Sequence, residues 1–135
     1  MIFSEQSVNA SQYDELTEEY FKREGLIRLD KNDLWQVLSG KGCVLITARQ
    51  EDENPTEFIH QLITHLNSKP NKAQWRRLLI YFGQSPKAHL KMEDMSLLEE
   101  FLNHSISDYI DVIWGIHHNL DEVGLTAVIL YSLQY

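Results

Sequence analysis

The sequence predicts an α+β fold: a two-layer sandwich with a mixed four-stranded sheet and helices packed on it, in the order helix-helix-β-α-β-α-β-β. Three observations predict it. Two segments with helical spacing of apolar residues open the chain. Four short β-type runs follow, and two further helical segments separate the first three of them. A ferredoxin-like βαββαβ order is the near alternative, but the middle of the chain holds no strand doublet. With 135 residues, 43% of them hydrophobic, the chain is long enough for one core and one domain. We expect that domain to span Ser11 to Tyr135, after an N-terminal segment Met1 to Ala10.

The first helix is read from Tyr13, Leu16, Tyr20 and Phe21, which share one face. Ser11 with Asp14 three residues on has the form of a capping box, and Gly25 supplies a stop. Glu15, Glu18 and Glu19 form a solvated face. Leu34, Val37 and Leu38 mark a short second helix ending at Ser39-Gly40-Lys41-Gly42. Gly42 to Ala48 is the first strand. Asn54-Pro55-Thr56-Glu57 is a strong helix start, with a cap, Pro in the first helical position and Glu two residues later. Phe58, Leu62, Ile63 and Leu66 give its buried stripe, and the helix ends at Asn67-Ser68-Lys69-Pro70. Leu78 to Phe82 is an apolar run too short for a helix, bounded by Gly83 and Pro86, and reads as a buried strand opened by Trp75-Arg76-Arg77. Met92 to Asn103 is helical. Tyr109 to Trp114 and Thr126 to Leu133 are the last strands, a hairpin-like pair joined through Gly115 to Gly124.

Composition excludes several function classes. The net charge of −8 opposes binding to a phosphate backbone, so nucleic acid is not an expected partner. No apolar run approaches the ~20 residues that span a bilayer, and the first residues lack the basic and apolar regions of a signal peptide. The single Cys43 lies in an apolar run, as a buried, inert thiol, and suits a reducing cytoplasm. His117-His118 near Asp121 and Glu122 reads as a solvated loop, because adjacent histidines rarely converge on one ion. His60 and His65, five apart on a helix, do not share a face. Trp35, Trp75 and Trp114 read as core or edge-of-core anchors. No metal and no cofactor is expected.

Gly25-Leu26-Ile27-Arg28-Leu29-Asp30-Lys31-Asn32-Asp33-Leu34 is the most informative stretch. Asp30 and Asp33 stand three apart where an extended apolar run becomes a helix. Such a pair either caps the helix, as N-cap and third helical residue, or projects to do chemistry. This stretch resembles the Gly-Leu-Ile-Asn-x-Asp-x-x-Asp segment of the FtsZ/tubulin superfamily, ahead of its C-terminal domain. Looser similarities follow in order: Leu78 to Gly83, the helix entry His89-Leu90-Lys91-Met92-Glu93-Asp94, Asp111 to Gly115 with Leu120-Asp121-Glu122, and the closing run Leu125 to Leu130. The resemblance covers Ser11 to the end.

It implies the fold of that C-terminal domain with its preceding helix. It also implies that Asp30 and Asp33 match the loop that one filament subunit inserts into the nucleotide pocket of the next, where acidic residues position the attacking water. Arg28 departs from the family's Asn and can pair with phosphate or with either carboxylate. The family's Gly-rich phosphate loop is not present, and Ser39-Gly40-Lys41-Gly42 lacks the spacing of one. The expected function is therefore that of a non-enzymatic, cytoplasmic protein. It acts through protein contacts, by self-association or by docking on a filament-type partner, and at most donates the Arg28, Asp30, Asp33 loop to a partner's GTPase site. The alternative is a scaffold that takes a small anionic ligand at an interface pocket, with Arg28, Arg76 and Arg77 receiving it.

Overall fold

The structure, a computed structural model, describes residues 1–21, 31–52, 54–106, 110–118 and 124–133. Its frame is a mixed sheet of five strands: β1 (Ile2–Ser7), β2 (Val44–Gln50), β3 (Arg77–Gln84), β4 (Asp111–His118) and β5 (Leu125–Ser132). Their spatial order is β1-β2-β5-β3-β4. β5 runs antiparallel to both β2 and β3, β1 is antiparallel to β2, and β3 and β4 are parallel. Among the described residues four α-helices accompany the sheet: α1 (Tyr13–Leu16), α2 (Lys31–Leu38), α3 (Pro55–Asn67) and α4 (Met92–Ser105).

The α+β class and the mixed sheet are as the sequence predicts, and the sheet gains a fifth strand. Ile2–Ser7, expected to lie ahead of the domain, pairs with β2 along its length. Most of its side chains are exposed, so hydrophobic alternation gave no signal; the strand forms because the free edge of β2 offers backbone hydrogen bonds. Two tertiary contacts hold it. Phe3 stacks on His65 with ring centroids 3.9 Å apart, and Glu5 pairs with Lys69.

A second difference concerns the last two strands. They are not a hairpin: β5 inserts between β2 and β3, leaving β4 at the edge of the sheet among the described residues. Leu125, Ala127, Ile129 and Leu130 are fully buried, and a strand apolar on both faces belongs in the middle of a sheet covered on both sides. β4 also runs past Trp114 through Gly115 to His118, so His117-His118 lies on a strand rather than in a loop.

Alternation along the strands divides the core in two. Leu78, Ile80 and Phe82 of β3 face α3 and α4, packing with Phe58, Leu62, Leu66 and Leu98. Leu79 and Tyr81 face the other way, into a cluster with Leu16, Leu34, Val37 and Leu38. α3 and α4 cover one face of the sheet and α1 with α2 covers the opposite face, so helices lie on both sides of it. Each buried Leu or Phe contributes about 1.5–3 kcal/mol relative to exposure.

α3 begins as predicted: the Asn54 side chain accepts from the Glu57 N–H at 3.1 Å, with Pro55 in the first turn. The first helix departs from the expected continuous form. Its cap is Asn9, not Ser11: Asn9 Oδ1 accepts from Ser11 N, and Gln12 Oε1 accepts from Asn9 N. A 3-10 turn (Ala10–Gln12) leads into α1, and a π-type turn (Thr17–Phe21) follows it. That wider turn ends with Phe21 beside Tyr81, ring centroids 5.8 Å apart. Gly25 lies outside the described residues.

Candidate docking site

Asp33 is in the first turn of α2, where its negative charge complements the helix dipole. Asp30 and Arg28, its expected companions, lie outside the described residues, as do Asp121 and Glu122. Two residues beyond Asp33, Trp35 is 47% exposed and edge-on to Tyr13, ring centroids 5.4 Å apart. The exposed side of α2 is tied to the sheet by Arg77, whose Nη1 donates to Gln36 O at 2.9 Å. Arg76 Nη1 donates to Ala73 O and Trp75 O. Of the three arginines proposed as anion receivers, Arg76 and Arg77 thus spend donors on backbone carbonyls around the entry to β3, and Arg28 lies outside the described residues.

The three tryptophans separate into two roles. Trp75 is fully buried and stacked on Tyr131 with centroids 4.0 Å apart. Trp114 is 40% exposed on β4, with Val112 beside it on the same face at 37%. Both line a groove of ≈ 290 Å³ between β4 and α4, whose other walls are Ile80, Met95, Leu98, Glu99, Leu102 and Asn103. The helix residues at 95, 98, 99, 102 and 103 form one stripe along α4. Met92, a turn before Met95, is 82% exposed. Sequence reading missed this groove because Val112-Ile113-Trp114 looks the same for a central strand as for an edge strand. Only strand order distinguishes them.

Several other polar groups are packed into the fold. The Cys43 thiol is buried, donates to Val37 O at 3.1 Å, and has its pKa pushed up by that burial. His117 is buried beside Tyr81, centroids 4.7 Å apart. His65, stacked on Phe3, has its pKa lowered by desolvation first and by the Lys69 charge second, with Glu5 opposing. The buried Asp94 accepts from Thr56 Oγ1 at 2.8 Å and from Lys91 N at 3.1 Å, joining the starts of α3 and α4. Among the described residues no group of three His, Cys, Asp or Glu side chains is placed to hold a metal, and no helix is long and apolar enough to cross a membrane.

No protein-family model and no curated protein matches the chain. Solved structures do match. An empty FtsZ dimer from M. jannaschii aligns at a TM-score of 0.61 and 17% identity, covering 89% of this chain and 35% of that one. A tryptophan-to-tyrosine FtsZ variant from M. jannaschii aligns at 0.56 and 17%, covering 82% and 33%. The chain thus spans about a third of the FtsZ chains it matches. Its fold is that of the FtsZ C-terminal domain, as the run from Gly25 to Leu34 and the looser similarities after it imply.

Proposed function

We infer that this protein is a non-enzymatic binding module that works through protein contacts, by self-association or by docking on a filament-type partner. The observation that carries this reading is the apolar surface left open at two places: Trp35 on α2, and Val112, Trp114 and Met92 around the β4–α4 groove. Aromatic and methionine side chains exposed in this way are enriched where proteins meet. The FtsZ-like fold supplies the filament version of the idea. In that version Asp33, with Arg28 and Asp30 before it, presents the charged loop that enters a neighbour's nucleotide site.

Sedimentation velocity of the protein alone, and its co-pelleting with FtsZ and GTP, test the reading. We expect concentration-dependent self-association, or pelleting with filaments and a changed GTP turnover. A monomer at every concentration that neither pellets nor alters turnover removes the support for protein contacts. GTP hydrolysis by the isolated chain overturns the non-enzymatic part.

A further inference from the structure

The two edges of the sheet are built differently. β1 presents Ser4, Glu5 and Gln6, all exposed, and is clasped to α3 by the Phe3–His65 stack and to the turn after α3 by the Glu5–Lys69 pair. β4 is eight residues long, contains neither Lys nor Pro, and carries Val112 and Trp114 half-exposed. Apart from the exposed Asp111 at its start, it carries none of the charged or Pro residues that usually protect an edge strand. Among the described residues no strand lies outside it, so alternate N–H and C=O groups point away from β3. The groove under α4 runs along this edge, apolar at its floor and acidic at its rim. Glu99 is exposed there and has no ion-pair partner among the described residues.

We propose that β4 accepts an extended segment of a partner protein as a sixth strand, with apolar side chains in the groove beside Trp114 and a Lys or Arg on Glu99. This rests on the protein-contact reading and specifies its partner chemistry. Backbone pairing supplies the binding, and the groove selects the side chains on one face of the incoming strand. Charge decides between occupants. A second copy of this chain carries the same net charge of −8 and the same Glu99 rim, so like charge meets like. A basic segment meets Glu99 with opposite charge.

The probe is a synthetic heptapeptide, Thr-Val-Thr-Lys-Thr-Val-Thr, whose Val and Lys side chains share one face when extended. Titrated into the full chain at millimolar concentration, it is followed by 1H–15N spectra. The three tryptophans give three indole signals that report separate places. We expect saturable shifts at the Trp114 indole and the β4 amides and none at Trp35. N-methylation of alternate peptide amides abolishes binding. Glu99→Lys weakens it about tenfold, and replacing the peptide Lys by Glu restores it against that variant.

Absence of shifts at millimolar peptide overturns the proposal, as do equal binding by the N-methylated peptide or by Glu99→Lys. Peptide-free, concentration-dependent broadening of β4 that Trp114→Ala removes assigns the edge to a second copy and overturns it as well. Shifts confined to the Trp35 face overturn strand addition but leave the broader reading standing. That reading fails by a different result, a monomer that pellets with nothing. Glu99 is exposed on α4, so Glu99→Lys retains the fold, and the dispersion of its own spectrum confirms this.

Discussion

Two glycines with positive φ make a matched test of how the backbone is built. Gly42 sits at φ +62, and an added Cβ meets the Leu133 side chain, Cδ1 at 2.9 Å. Gly124 sits at φ +96, and an added Cβ meets Gln50 O at 2.0 Å, with Gln50 C and Glu51 Cα at 3.0 Å. At Gly42 the conformation is left-handed α, costing an Ala about 1–2 kcal/mol. Leu133 gives way by a small rotation, and a stiffer unfolded chain returns about 0.4–1 kcal/mol. Gly42→Ala therefore costs about 1 kcal/mol net.

At Gly124 the φ lies beyond that region, at about 1–3 kcal/mol. The neighbour is backbone, and it is held. Gln50 pairs with Leu125 in the sheet, and its Nε2 donates to Asp52 O and Asn54 O. Moving it stretches bonds worth about 1 kcal/mol each. Gly124→Ala therefore costs about 3–5 kcal/mol. Urea denaturation of the two variants beside the parent checks this, since with a slope of roughly 1–3 kcal/mol/M the gap between their midpoints is about 0.7–4 M. Midpoints for the two that agree within error, with slopes unchanged, refute the account of the β2–β5 corner.

Three further expectations follow from the packing. Trp75→Ala, at a fully buried stack on Tyr131, loses about 3–5 kcal/mol, whereas Trp114→Ala, 40% exposed at the edge, loses about 1 kcal/mol or less; thermal denaturation ranks the two. Because burial against Phe3 lowers the His65 pKa, the unfolded chain takes up a proton at this site before the folded chain does. The stabilisation is complete above the unfolded value of 6.5 and is lost as pH falls from there toward the folded pKa. Between about pH 8 and pH 5 the parent thus loses more stability than His65→Phe, and parallel melting curves for the two contradict this. Cys43, with its thiol buried and its pKa raised, reacts with an aromatic disulfide reagent only as fast as the fold opens; immediate reaction in native buffer contradicts the burial.

The elements legible in the sequence are those whose pattern carries a local cause. The Asn54-Pro55 start of α3, the stripe Phe58, Leu62 and Leu66, the apolar run of β3 and the turn at Ser39–Gly42 all appear where periodicity and capping place them. β1 was not legible, because Ile2–Ser7 has one apolar pair and is stabilised by the edge of a strand almost forty residues away. The insertion of β5 between β2 and β3 is also a long-range choice: burial on both faces is visible in Leu125 to Tyr131, but the neighbours are not. The site suffered most from this. Asp33 is found at a helix start, while Asp30 and Arg28 lie outside the described residues. The apolar groove depends on which strand is left last in the sheet, and no spacing of residues encodes that.

The same topological fact makes the two sheet edges unequal. β5 follows β4 in sequence yet takes the centre, so among the described residues β4 is displaced to the rim with an apolar sequence suited to an interior. Register places Val112 opposite Leu78 and Trp114 opposite Ile80, both fully buried on β3. Val112 and Trp114 thus continue a core layer outward by one strand, and that layer stops at solvent. At the other rim the layer ends in a polar strand clasped to a helix, which is how a sheet terminates when nothing else is to be added. An edge that ends in Trp and Val, beside a groove and a carboxylate without an ion-pair partner among the described residues, is unfinished by the same physical rules. A sixth strand finishes it, and the cost of exposing Trp114 in the free protein becomes part of the affinity for that strand.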